Sequence, residues 1–212
     1  DLRLPLPPKE GGARGGGRSY STLDFLETQR TFILQNPALW TELQLKLLEE
    51  RLLLVPGIRL EYDVYLEDYA PDARLNARYI LVPDSTTLKG GVGMYAQRPG
   101  PDETDPEFGD PEINFEHSVQ ASLGFEQALG ERFELDVVGF YKHLYEMVSP
   151  VSQNNVDDIL AGEPERRLTN EGTGRAYGLE VLLRHNPTQR FFGWISYTLM
   201  RSERKDAGAN EH

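Results

Sequence analysis

Four histidines, His117, His143, His185 and His212, are the side chains of this 212-residue chain best suited to ligate a metal or carry a proton. No two of them stand at the spacing that paired metal ligands use on one helix or strand, so no metal site is expected. Cysteine is absent, which removes disulfides, thiolate ligands and a cysteine nucleophile. No Gly-x-Ser-x-Gly elbow or other nucleophile signature occurs. The chain therefore reads as a non-enzyme with no catalytic residue and no cofactor. Its 22 Lys and Arg against 34 Asp and Glu give a net charge of −12, the wrong sign for a nucleic-acid partner, whose phosphates must be neutralised by basic groups. One stretch, 101–116, concentrates Asp102, Glu103, Asp105, Glu107, Asp110, Glu112 and Glu116. It could attract cations or a basic ligand, but its prolines and irregular spacing do not fit an EF-hand, and it reads as a solvated loop.

The other charges are spaced by alternation, which brings in the elements that must position them. Over Ile58–Leu66, Ile58, Leu60, Tyr62, Val64 and Leu66 fall on one face of an extended strand and Arg59, Glu61, Asp63 and Tyr65 on the other. Phe133, Leu135, Val137, Gly139 and Tyr141 alternate in the same way with Glu134, Asp136, Val138, Phe140 and Lys142. The period continues in Val119–Glu126, in Leu179–Arg184, where Glu180 and Arg184 take the polar face, and in Ile195–Met200. Period two predicts β-strands with two chemically different faces.

Eight strands are expected, near 30–48, 52–66, 75–82, 87–97, 117–128, 132–148, 174–185 and 190–203. The opening stretch 1–28, rich in proline and with glycines at 11, 12, 15, 16 and 17, reads as a loop, and 29–212 as one β domain. The Leu-, Glu- and Lys-rich segment Leu43–Leu54 has helix-forming residues, but its alternation favours a hairpin turning at Glu49–Arg51. Short links at 49–51, 83–86, 129–131 and 186–189 alternate with longer ones at 67–74, 98–116 and 149–173. Tight turns at one end and loops at the other are the layout of a transmembrane β-barrel, whose alternating strands keep mean hydropathy low and need no apolar run of about 18 residues. A soluble β-sandwich, which also alternates, is the rival architecture. In the barrel, Phe133, Phe191 and Phe192 would form one interfacial girdle and Tyr65, Tyr69, Tyr95, Tyr141 and Tyr145 the other.

Several segments resemble, in order, strands of the TonB-dependent outer-membrane receptors. They are Val55–Asp63 with its Pro-Gly-hydrophobic-Arg step, Leu88–Pro99 (LKGGVGMYAQRP), Asn114–Phe125 (NFEHSVQASLGF), Phe133–Val148 with a Phe-Tyr pair, Gly174–Arg184 (GRAYGLEVLLR), and Arg190–Arg204 with a Ser-Tyr-Thr step. The resemblance implies an all-β fold, an antiparallel transmembrane β-barrel segment of about eight strands with short periplasmic turns and long extracellular loops, including 1–28. No plug domain, energy-coupling box or signal peptide is recognised, so 29–212 reads as part of a larger barrel. What the resemblance implies for function is active import of a scarce nutrient across the bacterial outer membrane. Its implied partners are outer-membrane lipid, a plug domain of the same protein and a TonB-type energy-coupling protein, and the acidic loop could bridge to lipopolysaccharide through divalent ions. Arg59, Asp63, Glu134, Asp136, Lys142, Glu180 and Arg184 then face the lumen as candidates for contact with plug or substrate. The alternatives are a passive porin or small outer-membrane barrel, and a soluble β-sandwich binding module.

Overall fold

The computed structural model describes residues 34–106, 109–151, 168–187 and 191–208. The 1–28 stretch, Glu107 and His212 lie outside them. The described chain forms a single antiparallel sheet: β1 (Ala38–Glu42), β2 (Leu45–Leu47), β3 (Leu52–Asp63), β4 (Asp68–Val82), β5 (Thr86–Gln97), β6 (Glu116–Leu129), β7 (Phe133–Pro150), β8 (Leu168–His185) and β9 (Gly193–Lys205). From β3 onward each strand pairs with the next in sequence, and β1 and β2 both pair with β3.

β1 and β2 keep one register against β3: Glu42 lies opposite Gly57 and Leu45 opposite Leu54. They are one strand with a gap, and proline explains the gap. The N–H of Leu43 donates to the carbonyl of Pro56 at 3.0 Å, but Pro56 has no N–H to return the bond. The expected hairpin then turns through Leu48, Glu49 and Glu50, all with positive φ (52°, 55° and 66°). The helix alternative for Leu43–Leu54 is not realised.

Two expected boundaries are corrected. The link expected over 67–74 is a tight turn at 64–67, and β4 begins at Asp68. Asp63 supplies the reason, because its carboxylate accepts from the N–H groups of Tyr65 (2.8 Å) and Leu66 (2.9 Å) and holds the chain in an Asx-type turn. Val64 and Leu66 therefore belong to a turn and not to a strand face. β8 likewise begins at Leu168, six residues earlier than expected.

Because the strands form a meander, successive links fall at alternate ends of the sheet. The turns 48–51, 83–85 and 130–132 share one end, and the turn 64–67 and the loop 98–115 share the other. Among the described residues no second layer covers either face: Ile58, Leu123 and Leu199 are 62%, 74% and 62% exposed. A sandwich would bury such residues against a facing sheet, so that alternative is set aside. The buried apolar residues, Ala70, Ile113, Phe115 and Val148, gather at the loop-side end.

Candidate functional site

Register sorts the side chains into two walls. On one, the rungs from the turn side upward read Phe133–His185–Gly193, Leu135–Leu183–Ile195, Val137–Val181–Tyr197, Gly139–Leu179–Leu199 and Tyr141–Tyr177–Arg201. Phe133 meets the edge of His185 (ring centroids 4.9 Å apart), and His185 meets Phe191 (5.1 Å). At the other end Tyr141 and Tyr177 stack at 6.4 Å. The residue steps from Phe133 to Tyr141 span about 27 Å along an antiparallel strand. At a tilt of roughly 40° that is a rise of about 21 Å, close to the ~25 Å apolar band between the aromatic girdles of outer-membrane barrels. Tyr95, expected in the loop-side girdle, is instead on the other wall, where its ring lies over Gly93; a Cβ at Gly93 would meet the Tyr95 Oη at 2.5 Å.

The second wall is polar. Arg78 and Lys89 share one of its rungs, and Glu126 and Asp136 share the next. Arg78 pairs with Glu126 (Nη1 to Oε1 2.9 Å), while the Lys89 Nζ lies 2.6 Å from Asp136 and 3.3 Å from Glu126. The result is a network across β4 to β7 in which two basic residues on one rung meet two acidic residues on the next. Arg184 approaches Glu134 at 3.6 Å, Arg74 reaches Glu42 at 2.8 Å, and Arg59 pairs with Glu61 along the same strand. Each such half-exposed pair contributes little stability, about 0–1 kcal/mol. Their weight lies in register, since a one-residue slip would turn every one of these charges to the apolar wall.

The seven candidates thus divide. Arg59, Glu134, Asp136 and Arg184 share the polar wall but are paired within it. Asp63 is not open to a lumen at all: it is 1% exposed and bound by Arg98 Nε (2.6 Å) and Asn36 Nδ2 (2.7 Å) as well as by its own turn. Lys142 and Glu180 share the same wall with no ion-pair partner among the described residues. Between their rungs stands the rung of Ser122, Phe140, Gly178 and Met200.

What the sequence missed is the folded rim around Asp63. The loop 98–115 reads as solvated, yet Thr104, Asp105 and Asp110 are buried. Arg98 lies over the Tyr65 ring, its guanidinium carbon 5.5 Å from the centroid, and the Tyr65 hydroxyl donates to the Thr104 carbonyl at 3.2 Å. Asn114 donates to Asp68 (2.6 Å), and its N–H and carbonyl are both bound by the Asn170 amide at 2.8 and 3.0 Å. The apolar Ile113 and Phe115 inside an otherwise acidic loop were the signal, because solvated loops have no use for two large apolar groups. Among the described residues no cluster of three or more His, Asp or Glu is placed to hold a metal.

A family model described as the TonB dependent receptor-like β-barrel matches residues 9–211. The chain belongs to that family. Solved structures carry the same fold. Similar ones are the outer membrane transporter YddB from Escherichia coli (12% identity, TM-score 0.64, covering 81% of this chain and 25% of that one) and the siderophore receptor PirA from Pseudomonas aeruginosa (19%, 0.63, 80% and 32%). A third is the alcaligin outer membrane receptor FauA from Bordetella pertussis (16%, 0.60, 84% and 31%). No curated protein sequence matches. The chain spans between a quarter and a third of the length of these structures. As a TonB-dependent receptor barrel it is an outer-membrane wall: the apolar face with its girdles is the lipid side, and the polar face is the lumen side.

Proposed function

We propose that this section of barrel wall serves a receptor that imports a scarce nutrient, such as a siderophore-like chelate, a vitamin, a sugar or a peptide, with energy relayed by a TonB-type protein. A plug domain of the same protein would fill the lumen. Family membership supports the reading, and so does the likeness to PirA, a siderophore receptor, and FauA, an alcaligin receptor. Receptors, not enzymes, make up the family. The observation that carries it at residue level is the lumen wall, most of whose charges neutralise one another while Lys142 and Glu180 remain for plug or substrate. An open porin would need no such reserve beyond tuning its ion selectivity.

The test uses the complete protein in a strain lacking other receptors. Uptake of iron-55 from a panel of ferric siderophores, and of labelled cobalamin, is measured with and without the energy-coupling protein. Uptake of at least one probe should vanish without coupling, and planar-bilayer recordings should show a closed barrel. A stable open conductance with coupling-independent uptake would identify a porin instead.

A further inference from the structure

Beyond the girdle rung of Tyr141, β7 breaks its ladder. Leu144 lies opposite Gly174 and Met147 opposite Gly172, so Tyr145 and Glu146 together oppose a single residue of β8 and form a β-bulge. Glu146 has φ 54°, a left-handed conformation that strains any residue with a Cβ. Three contacts hold the bulge in this shape. The Asn170 amide donates to the Glu146 carbonyl at 2.9 Å, the Val148 N–H donates to the Glu116 carboxylate at 2.9 Å, and the Glu146 Oε2 lies 2.8 Å from the His117 Nδ1 on β6. The bulge is tied to the rim at two points. The same Asn170 amide binds the N–H and carbonyl of Asn114 in the loop, and just past the bulge Val148 and Ser149 are buried.

Of the three contacts, the one to His117 depends on a proton. The His117 Nδ1 makes no aligned hydrogen bond, so charge, and not a directed N–H bond, draws the Glu146 carboxylate to it, and that attraction requires a protonated imidazole. The groups around His117 are few. On β7 they are Glu146 and Tyr145, whose ring stacks on His117 with centroids 5.5 Å apart and on His143 at 6.1 Å. Glu116 precedes it on its own strand, and the uncharged Ala96 lies opposite it on β5. The charged residues of β8 at this level are Glu171 and Arg175, the latter committed to Glu203. We propose that the His117–Glu146 contact is a pH-dependent catch for the loop-side rim: protonation of His117 fastens the bulge, and with it the Asn170–Asn114 tie and the seat of Val148. The sign follows from the charges. The catch contributes in acid, while Glu146 stays ionised, and is lost as pH rises through the range in which histidine gives up its proton.

The complete protein in detergent is followed by hydrogen exchange and mass spectrometry at about pH 5.5 and about pH 7.5, either side of the histidine range, with protection corrected for the intrinsic pH dependence of exchange. Peptides across 113–118 and 145–150 report the rim, and the β4–β5 turn serves as reference. Rim protection in wild type should be about threefold higher in acid, the weight of a half-exposed ion pair, while the reference turn stays constant. His117→Gln should remove that difference. Glu146→Gly should remove it too, and since glycine accepts the left-handed backbone without strain, this variant decides the matter if His117→Gln loosens the rim at every pH. His143→Gln, beside the same Tyr145 ring, should keep the difference. Equal protection of the wild-type rim at both pH values, a difference that survives in His117→Gln or in Glu146→Gly, or one that disappears in His143→Gln would each overturn the proposal.

Discussion

Asp63 is bound by two side-chain donors and two backbone N–H groups, so its removal strips partners from a cation and from a turn together. Asp63→Ala should cost about 3–5 kcal/mol, the range for breaking a buried ion pair from one side. Asp63→Asn keeps an acceptor for the turn and should cost less, about 1–3 kcal/mol. Urea unfolding of the complete barrel in detergent measures both, and equal losses would show that the charge paired with Arg98, not the turn, is what the residue secures. A second residue tests backbone shape alone. Gly130 turns the β6–β7 hairpin at φ 68° with open space where a side chain would stand, so Gly130→Ala should lose about 1 kcal/mol through left-handed strain and nothing through collision. Of these two positions, the turn glycine was legible in the sequence. Asp63 was read only as a lumen charge, because nothing in its alternation distinguishes a carboxylate facing water from one folded under a loop 35 residues further on.

Among elements, β7 offers two valines that should respond in opposite ways. Val137 is on the lipid-side rung between Leu135 and Gly139, whereas Val148 is buried in the rim with Ile113 and Phe115. Val137→Phe should shift the unfolding midpoint very little, since lipid yields to a larger group, while Val148→Phe should cost about 1–3 kcal/mol by overpacking. If Val137→Phe destabilises as much as Val148→Phe, the lipid-side assignment of β7 is wrong. Alternation made β7 readable because its lipid-side residues are large and its lumen residues include Glu134, Asp136 and Lys142. β4 was half missed for the opposite reason: after Tyr69 the lipid-side residues of its first half are Pro71 and Ala73, one turn-like and one small, which together do not signal a strand. Pro71 also marks where pairing with β5 stops. The β4–β5 ladder ends at Ala73–Met94, and the N–H of Ala96 beyond it is taken by the Asp72 carboxylate at 2.8 Å.

For the whole molecule, the described sheet has two free margins, since β1 and β9 do not pair with one another. Trp40 on the first and Ile195 and Tyr197 on the last are all more than 60% exposed, and unpaired apolar edges recruit other chains. Residues 1–212 on their own should therefore give no stable single-channel conductance and should associate in detergent, as sedimentation velocity would show. A closed monomer with steady conductance would mean that these strands make a small barrel by themselves. The class of fold and the side of each strand were visible in the sequence because both follow from a period of two. The rim was not, because it is built from contacts between loops far apart in the chain.

That rim has a bearing on how fast the parts of this wall come together. Every ladder from β3 to β9 joins strands adjacent in sequence, so most hairpins close over short stretches of chain and at small entropic expense. The bonds from Asn170 to Asn114 reach across 56 residues, and the bond from Arg98 to Asp63 across 35. Longer closures come later when local pairing is already available. In a refolding experiment followed by pulsed hydrogen exchange, amides of the β6–β7 hairpin should gain protection before the N–H of Asn114. A wall that zips early and is latched late would hold its loop-side end open during assembly.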